Sequence, residues 1–506
     1  MSIIVGLFGA SGHTGIPTLL EFLKNKEIDK IKVLLKKKYK RNKLVLRIAK
    51  KNKGRIEIFY GDVSNKEDVL NAIKDCHYLF NLSGVIPPLS DEEPNKSYLA
   101  NEKGAYVIVD AIQNYYPDVK LIDITTVALY GQRNEKHPYI RVGDPLFPGV
   151  YDFYTTHKIR GEFHLLESDV KNFVIIRQTA MIYMEMMTSN MKKGIIFHTP
   201  FNTPVEWSTA EDTARLFASI IKEDQLGHLN HRNFWNKIFN LGGGEKSRVS
   251  GYEIVDAGFK ILGGSAKDFY EPRYNVTRNF HCGFYYDGEE LNNLFHYRQD
   301  TFSGYWDKIK KKYWYFSLGR ICPKKLIKKF AIERVLKDEH APEYWYKHKD
   351  YARIIAYFGS AEAYEKLPKS WDGFPLVDYQ KEKTLSTYKS IDYGFDIDKK
   401  DEDISYDDLI NVAKRHGGKL LTPSFKTGDI YHKVEWENSD GQRFIARPYT
   451  VLRGGHWMNI TYKEYAWEFD RLAKKDALYA IYWYDSNEVD ENHYYYFDED
   501  LKAKIR

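Results

Sequence analysis

Two residues four apart, Tyr154 and Lys158 in YDFYTTHKIRGE, are the side chains best suited to chemistry in this sequence. At that spacing a phenol and an ammonium share one face of a helix. A nearby cation lowers a phenol's pKa, so Tyr154 is expected to exchange a proton with a substrate oxygen near neutral pH, while Lys158 can also hold a ribose hydroxyl. Upstream, LIDITTVALYG ends a strand on Thr125 and Thr126, and a hydroxyl there can hold the same substrate oxygen. A solvated helix face carries the same Tyr-x-x-x-Lys spacing, so the pair needs a second signal.

That signal is VGLFGASGHTGIPTLLEFL, residues 5–23, where Gly9, Gly12 and Gly15 follow an apolar run and precede an amphipathic one. Strand, glycine turn and helix in this order bring backbone N–H groups close to a pyrophosphate, with Ser11, His13 and Thr14 on the same turn. The elements that must position these groups alternate strand and helix. Strands are expected at Ile3–Phe8, Ile31–Leu35, Ile56–Tyr60, Tyr78–Leu82, Lys120–Ile124 and Phe173–Ile176, with helical periodicity at Lys66–Ile73 and Asn101–Ile112. The rhythm implies an α/β fold, a Rossmann-type doubly wound parallel sheet. Residues 250–310 read as a small substrate lobe, so the first unit spans 1–310. A helical, aromatic and basic region at 311–400 and a small α+β unit at 401–506 complete the expected organisation.

The ordered marks resemble the extended short-chain dehydrogenase/reductases, a family that contains nucleotide-sugar epimerases, dehydratases and hydroxysteroid or flavonol reductases. They are Gly9, Gly12 and Gly15; Gly61-Asp62-Val63; Asn81-Leu82-Ser83-Gly84; Asn101 and Gly104; Thr126 before Tyr130-Gly131; Tyr154 and Lys158 with Gly161-Glu162; Arg177; and Asp212-Thr213-Ala214. The resemblance implies a dinucleotide held by the glycine turn, Asp62, Val63, Leu82, Ser83, Gly84, Asn101, Tyr154 and Lys158. It makes Tyr154 the general acid/base and puts Thr126 in the place of the usual serine. Gln178 stands where a proline commonly follows the arginine.

Where NAD-preferring members place an acid, about 20 residues past the glycine turn, this chain has LLKKKYKRNK. Lys36, Lys37 and Arg41 would suit a 2′-phosphate, so NADP is expected ahead of NAD. The stretch before Asp212 lacks the arginine of nucleotide-sugar enzymes, and five of the seven methionines cluster in TAMIYMEMMTSNM. Thioethers adapt to irregular apolar ligands. Met181, Met184, Met187 and Trp207 are therefore expected to receive an apolar ketone or secondary alcohol, the small-molecule partner of an NADP-dependent oxidoreductase. A nucleotide-sugar epimerase or dehydratase with tightly bound NAD, and a cofactor-sensing binding protein, are the other two readings.

Composition narrows the remainder. The 506 residues carry 76 basic and 70 acidic side chains, a net +6, which gives no global case for nucleic acid. Three scattered cysteines exclude a disulfide framework. The first residues enter a strand without a basic-then-apolar leader, and no apolar run approaches a membrane span, so a soluble cytoplasmic protein is expected. KIKKKYWYFSLGRICPKKLIKKFAIERVL alternates basic with apolar residues; it packs on a neighbouring domain, or makes peripheral membrane contact at 308–337. A homodimer is a further expectation. The last unit resembles a treble-clef zinc module in Trp436, Gly441, Phe444, Ala446, Pro448 and Trp457, but its ligand places hold Asn438, Gln442, Met458 and Thr461. With no thiolate or imidazole left there, no metal is expected.

Overall fold

The computed structural model describes residues 2–37, 39–189, 193–381, 388–457, 466–467, 469–491 and 495–496. A seven-stranded parallel sheet organises the N-terminal half: β1 (Ile3–Phe8), β2 (Ile28–Leu35), β3 (Ile56–Tyr60), β4 (Tyr78–Asn81), β5 (Lys120–Thr126), β6 (Phe173–Gln178) and, later in the chain, Lys237–Leu241. Between these last two lie β7 (Ala180–Ile182) and β8 (Pro204–Thr209), which makes Lys237–Leu241 β9; β10 is Arg248–Ser250. The sheet order is β9-β6-β5-β4-β1-β2-β3, with the strand order reversing beside β1. Strands buried on both faces read as continuous apolar runs, which is why IIVGLF and FVIIRQ were legible.

Helices cover both faces. On one, α1 (Gly15–Lys24) packs against α6 (Ala210–Gln225); on the other lie α3 (Lys66–Ile73), α4 (Gly104–Tyr115) and α5 (Phe153–Leu166), while α2 (Asn42–Lys51) follows β2. Leu19, Phe22, Leu216, Phe217 and Ile220 seal the first face. The lobe adds β7, β8 and β10 as a three-stranded sheet, with α7 (Gly251–Ile261) and α8 (Phe302–Lys312). α7 opens on a capping box between Ser250 and Glu253.

Several boundaries differ from the sequence expectation. β2 starts at Ile28 rather than Ile31, β4 stops at Asn81, and β5 and β6 run on to Thr126 and Gln178. The segment expected to be helical from Asn101 begins as a π-helical turn, Tyr98–Lys103, before α4. β9 is a seventh strand that periodicity did not reveal, because KIFNL is short and follows an irregular turn-rich stretch.

The C-terminal segment folds as a three-stranded antiparallel sheet, β11 (Lys419–Leu420), β12 (Val434–Glu437) and β13 (Arg443–Ala446), beside α9 (Tyr406–Arg415) and α10 (Pro448–Leu452). Its core is aromatic: Trp436 and Trp457 meet edge-on at 5.7 Å, and His416 stacks on Trp457 at 4.4 Å. Two of the four ligand-like places bond to each other, Asn438 Nδ2 donating to Gln442 Oε1 at 3.1 Å. Met458 and Thr461 lie outside the described residues.

This segment does not close a core of its own. Trp436, Val451 and Leu452 belong to the same buried cluster as Leu121, Ile175 and Ile238 of β5, β6 and β9 and Leu165 of α5. The sheet face left open beyond α5 is covered by the C-terminal residues. Trp436 is fully buried and donates from Nε1 to Ala446 O at 3.2 Å. Trp436→Ala should therefore lower unfolding free energy by about 3–5 kcal/mol, read from a denaturant melt of the full chain. A loss below about 1 kcal/mol would show that the shared cluster carries little stability.

Candidate functional site

The glycine turn is built by close approach. Gly9 sits at φ +79°, and a Cβ there would come within 2.5 Å of Leu82 O at the end of β4. A Cβ on Gly15 would meet Gly9 O at 2.2 Å, while Gly12 N donates to that same oxygen at 2.9 Å. α1 begins at Gly15 without a side-chain cap. A helix start that lacks a side-chain acceptor, behind a turn no side chain could enter, fits a phosphate group. Ser11 is buried within this turn, and Thr14, Leu82, Ser83 and Gly84 open onto an adjoining cavity.

Expected cofactor contacts at the rim are differently engaged. Lys36 pairs with Asp62 at 3.0 Å, and Asp62 also accepts from Ser64 N and Oγ. Burial opposes its charge, yet the Ser64 and Lys36 bonds hold the Asp62 carboxyl below its usual range. The Arg41 guanidinium lies 3.0 and 3.1 Å from the two ring nitrogens of His13, one of which accepts from it. His13 stacks on Tyr183 at 3.7 Å, and burial, then Arg41, lowers its pKa to about 4. Lys37 is exposed. Of the three expected cations, two are thus committed to partners within the chain.

Asn101 is 2% exposed and faces the protein: Nδ2 donates to Val85 O and Ser97 Oγ, and Oδ1 accepts from Val85 N. It anchors the loop after β4. Val63 is buried beside Gly104, where a Cβ would approach it to 2.8 Å.

A cavity of 430 Å³ lies at the C-terminal ends of β4, β5 and β6, and Thr126, Tyr154 and Lys158 all line it. β5 delivers Thr126 at its last residue; α5 presents Tyr154 and Lys158 one turn apart, capped by Asp152, which accepts from Thr155 N at 2.9 Å. The Thr126 hydroxyl, which accepts from Ala128 N at 3.2 Å, acts to lower the Tyr154 pKa. Burial nevertheless raises the Tyr154 pKa to about 12, with Asp152 adding to the effect. The expected lowering by Lys158 is outweighed by burial of the phenol itself; burial also holds the Lys158 ammonium below its usual range, against the opposing pull of Asp123 and Glu162. Lys158 Nζ donates to Ile124 O at 3.0 Å and Ser83 O at 3.4 Å. Tyr154 is therefore a proton donor in this state.

The methionine segment divides. Met181 lines the cavity and its sulfur accepts from Thr14 Oγ1 at 3.0 Å. Met187 lines a second, apolar cavity of 290 Å³, and Trp207 and Met186 line both. Met184 lines neither and packs on the lobe core, a correction to its expected role. Met191 lies outside the described residues. Sequence reasoning missed Met186 as a shared wall, and also Asp91, Asp152, His281 and Tyr357. Burial, reinforced by Asp152, lifts the Asp91 carboxyl well above its ordinary range. Tyr151 adopts φ +61° immediately before the cap, a strained conformation at the cavity wall. Only Asp152 had a sequence signal, standing two residues before Tyr154 as a helix-capping type.

Beneath the cavity, Glu162 of α5 and Arg177 of β6 form a fully buried ion pair. Thr125 Oγ1 donates to Glu162 Oε2 at 2.9 Å, and Arg177 donates to Tyr130 Oη at 2.7 Å. The C-terminal segment completes the cluster: Gly454 O accepts from Arg177 at 2.6 Å, and His456 Nε2 lies 3.0 Å from Glu162 Oε1. Burial opposes the Glu162 charge, but Arg177 and His456 prevail and hold its pKa at about 2.

No family model matches the chain, and no curated protein matches it. Among solved structures, a dTDP-glucose 4,6-dehydratase from Streptomyces venezuelae with NAD bound aligns at a TM-score of 0.51 and 15% identity, over 64% of this chain and 100% of that one. A double mutant of a dTDP-glucose 4,6-dehydratase from the same organism, also with NAD, gives 0.50 and 15%, over 62% and 97%. A dTDP-glucose 4,6-dehydratase from Bacillus anthracis in complex with NAD gives 0.49 and 17%, over 63% and 98%. At these identities the likeness is one of fold.

The buried pair makes a pH-dependent contribution to stability. Its Glu162 pKa falls from 4.5 unfolded to about 2 folded, so the contribution is complete above 4.5 and is lost as pH drops towards 2. Glu162→Gln should cost about 3–5 kcal/mol at neutral pH, and the gap to the wild type should narrow across that acid window. Denaturant melts at both pH values check this; a gap independent of pH would refute it.

Proposed function

We propose that this chain is an oxidoreductase dependent on a nicotinamide dinucleotide, acting at a carbinol or carbonyl carbon. The observation that carries it is the convergence of Thr126, Tyr154 and Lys158 on one cavity that opens beside a glycine-built helix start. The glycine turn and the start of α1 would hold the pyrophosphate, Asp62 and Val63 would flank the adenine side, and Lys158 would hold a ribose hydroxyl. Bound there, the dinucleotide supplies or accepts the hydride. Tyr154, kept neutral by burial, donates its proton to the substrate oxygen. Thr126 orients that oxygen, and Lys158 stabilises the negative charge left on the phenol.

NAD is placed ahead of NADP, reversing the expectation from the lysine run. Lys36 and Arg41 already have partners, and neighbours of the same fold hold NAD. For the substrate, the two cavities share Ile86, Ala180, Met186, Trp207 and Phe280 as walls. Lys158 is the one lysine or arginine among their described lining residues. This favours an apolar ketone or alcohol over a diphosphate. The structural neighbours favour the second reading, a nucleotide-sugar dehydratase or epimerase that retains its NAD.

Tyr154→Phe should keep dinucleotide binding and lose about 10²–10⁴ in turnover. Unchanged turnover would remove Tyr154 from the chemistry, whereas dinucleotide binding without turnover in the unmutated protein would support a sensor instead. The substrate readings separate in one assay. Net NADH consumption with bulky cyclic or long-chain ketones, with a Michaelis constant raised by Met187→Lys, supports the first. Conversion of dTDP- or UDP-sugars without net nicotinamide turnover supports the second.

A further inference from the structure

A second apolar face lies at the far end of the lobe. After α8, the chain forms a 3-10 stretch, Trp314–Ile321, and short helical turns at Lys324–Ile327 and Lys328–Ile332. The segment is firmly seated: Ile309, Tyr313, Ile332 and Val335 are buried, and Gly319 and Arg320 lie against Leu262 and Gly263 at the end of α7. Its packing face is therefore already used. A different set points to solvent: Trp314 is 65% exposed, Ile321 83% and Phe330 70%, with Tyr315, Leu318 and Leu326 also exposed. Such a concentration of large apolar side chains is costly in water without a partner.

The charge around this set is one-sided. Residues 308–337 hold eleven lysines and arginines against one acid, Glu333. Lys308, Lys312, Lys324 and Lys328 are paired with carboxylates from neighbouring elements, whereas Lys310, Lys311 and Lys325 have no acidic partner among the described residues. No helix of the described residues is long and apolar enough to cross a membrane. Exposed Trp, Ile and Phe in a segment interleaved with lysines that lack acidic partners match an anionic lipid surface, where rings and aliphatic groups enter the headgroup boundary and ammonium groups meet lipid phosphates. A second copy of the chain would bring eleven further cations against these and is disfavoured by repulsion.

We propose that residues 308–337 dock the protein on an anionic membrane surface, with Trp314, Ile321 and Phe330 inserted and Lys310, Lys311 and Lys325 on the headgroups. The site is independent of the oxidoreductase reading. It also places the lipid boundary at one end of α7, the helix that contributes Ile254, Val255 and Phe259 to the apolar cavity.

The test is co-sedimentation of the full-length protein with vesicles of phosphatidylcholine alone or mixed with phosphatidylserine. Binding is expected to the mixed vesicles, with a blue shift of tryptophan emission that is reduced in Trp314→Phe, and is expected to weaken as salt rises. Lys310→Glu with Lys311→Glu should lower the partition coefficient by about tenfold or more. Ile321→Ser with Phe330→Ser should do the same at low salt by about tenfold. All four positions are exposed, so thermal unfolding should remain that of the wild type. Protein left in the supernatant with both vesicle types, or variants that bind as well as the wild type, would overturn the proposal. So would a concentration-dependent dimer in sedimentation velocity that Ile321→Ser abolishes, since the patch would then belong to a second copy.

Discussion

A guanidinium and a carboxylate buried together hold this molecule in register. Taking Arg177 and Glu162 out of water costs several kcal/mol for each ion, which their attraction offsets only when the remaining hydrogen-bonding positions are filled. Here they are filled by four residues from two distant stretches of the chain: Thr125 on β5 and Tyr130 just beyond it, and Gly454 and His456. Removing any of these partners leaves a buried ion short of a hydrogen bond, so the cluster ties β5, α5, β6 and the C-terminal segment to one another. Tyr154 and Lys158 lie on the same helix as Glu162, two turns and one turn upstream respectively, and Thr126 is the neighbour of Thr125. The rigidity of the cavity floor follows from the buried pair beneath it.

The same low-polarity environment sets the protonation of the residues above. Where the side chains are buried, phenolate and ammonium are both penalised. Tyr154 is kept neutral and Lys158 turns to the carbonyls of Ile124 and Ser83. Helical spacing identified the two residues but carried no information about burial. A spacing argument assumes that the nearest charge dominates, and here desolvation outweighs it.

Much of the sheet was legible because its strands are apolar runs between glycine and helical signals, a local pattern. β1, β3 and α3 coincide with their expected limits, whereas β9, short and irregularly flanked, left no such pattern. Within the site, the glycine turn, Thr126, Tyr154 and Lys158 were legible from local order. The pairings of Lys36 with Asp62, of Arg41 with His13 and of Glu162 with His456 join residues far apart in sequence, the last separated by 294 positions. No periodicity encodes those contacts. The methionine cluster was visible as composition, but which methionines face a cavity depends on the turn at Met186–Ser189, so Met186 was overlooked and Met184 was misplaced.

The position of Gly454 and His456 late in the chain has a consequence for biosynthesis. A ribosome completes β5, α5 and β6, and then β9, well before it delivers the residues that satisfy Arg177 and Glu162. During that interval the nascent chain can assemble its parallel sheet, yet the apolar face around Leu121, Ile175 and Ile238 remains uncovered and the ion pair lacks its last two partners. Maturation of the cavity floor is thereby deferred until residues 454–456 have been made, and until then the sheet surface around Leu121, Ile175 and Ile238 is open to non-native contacts.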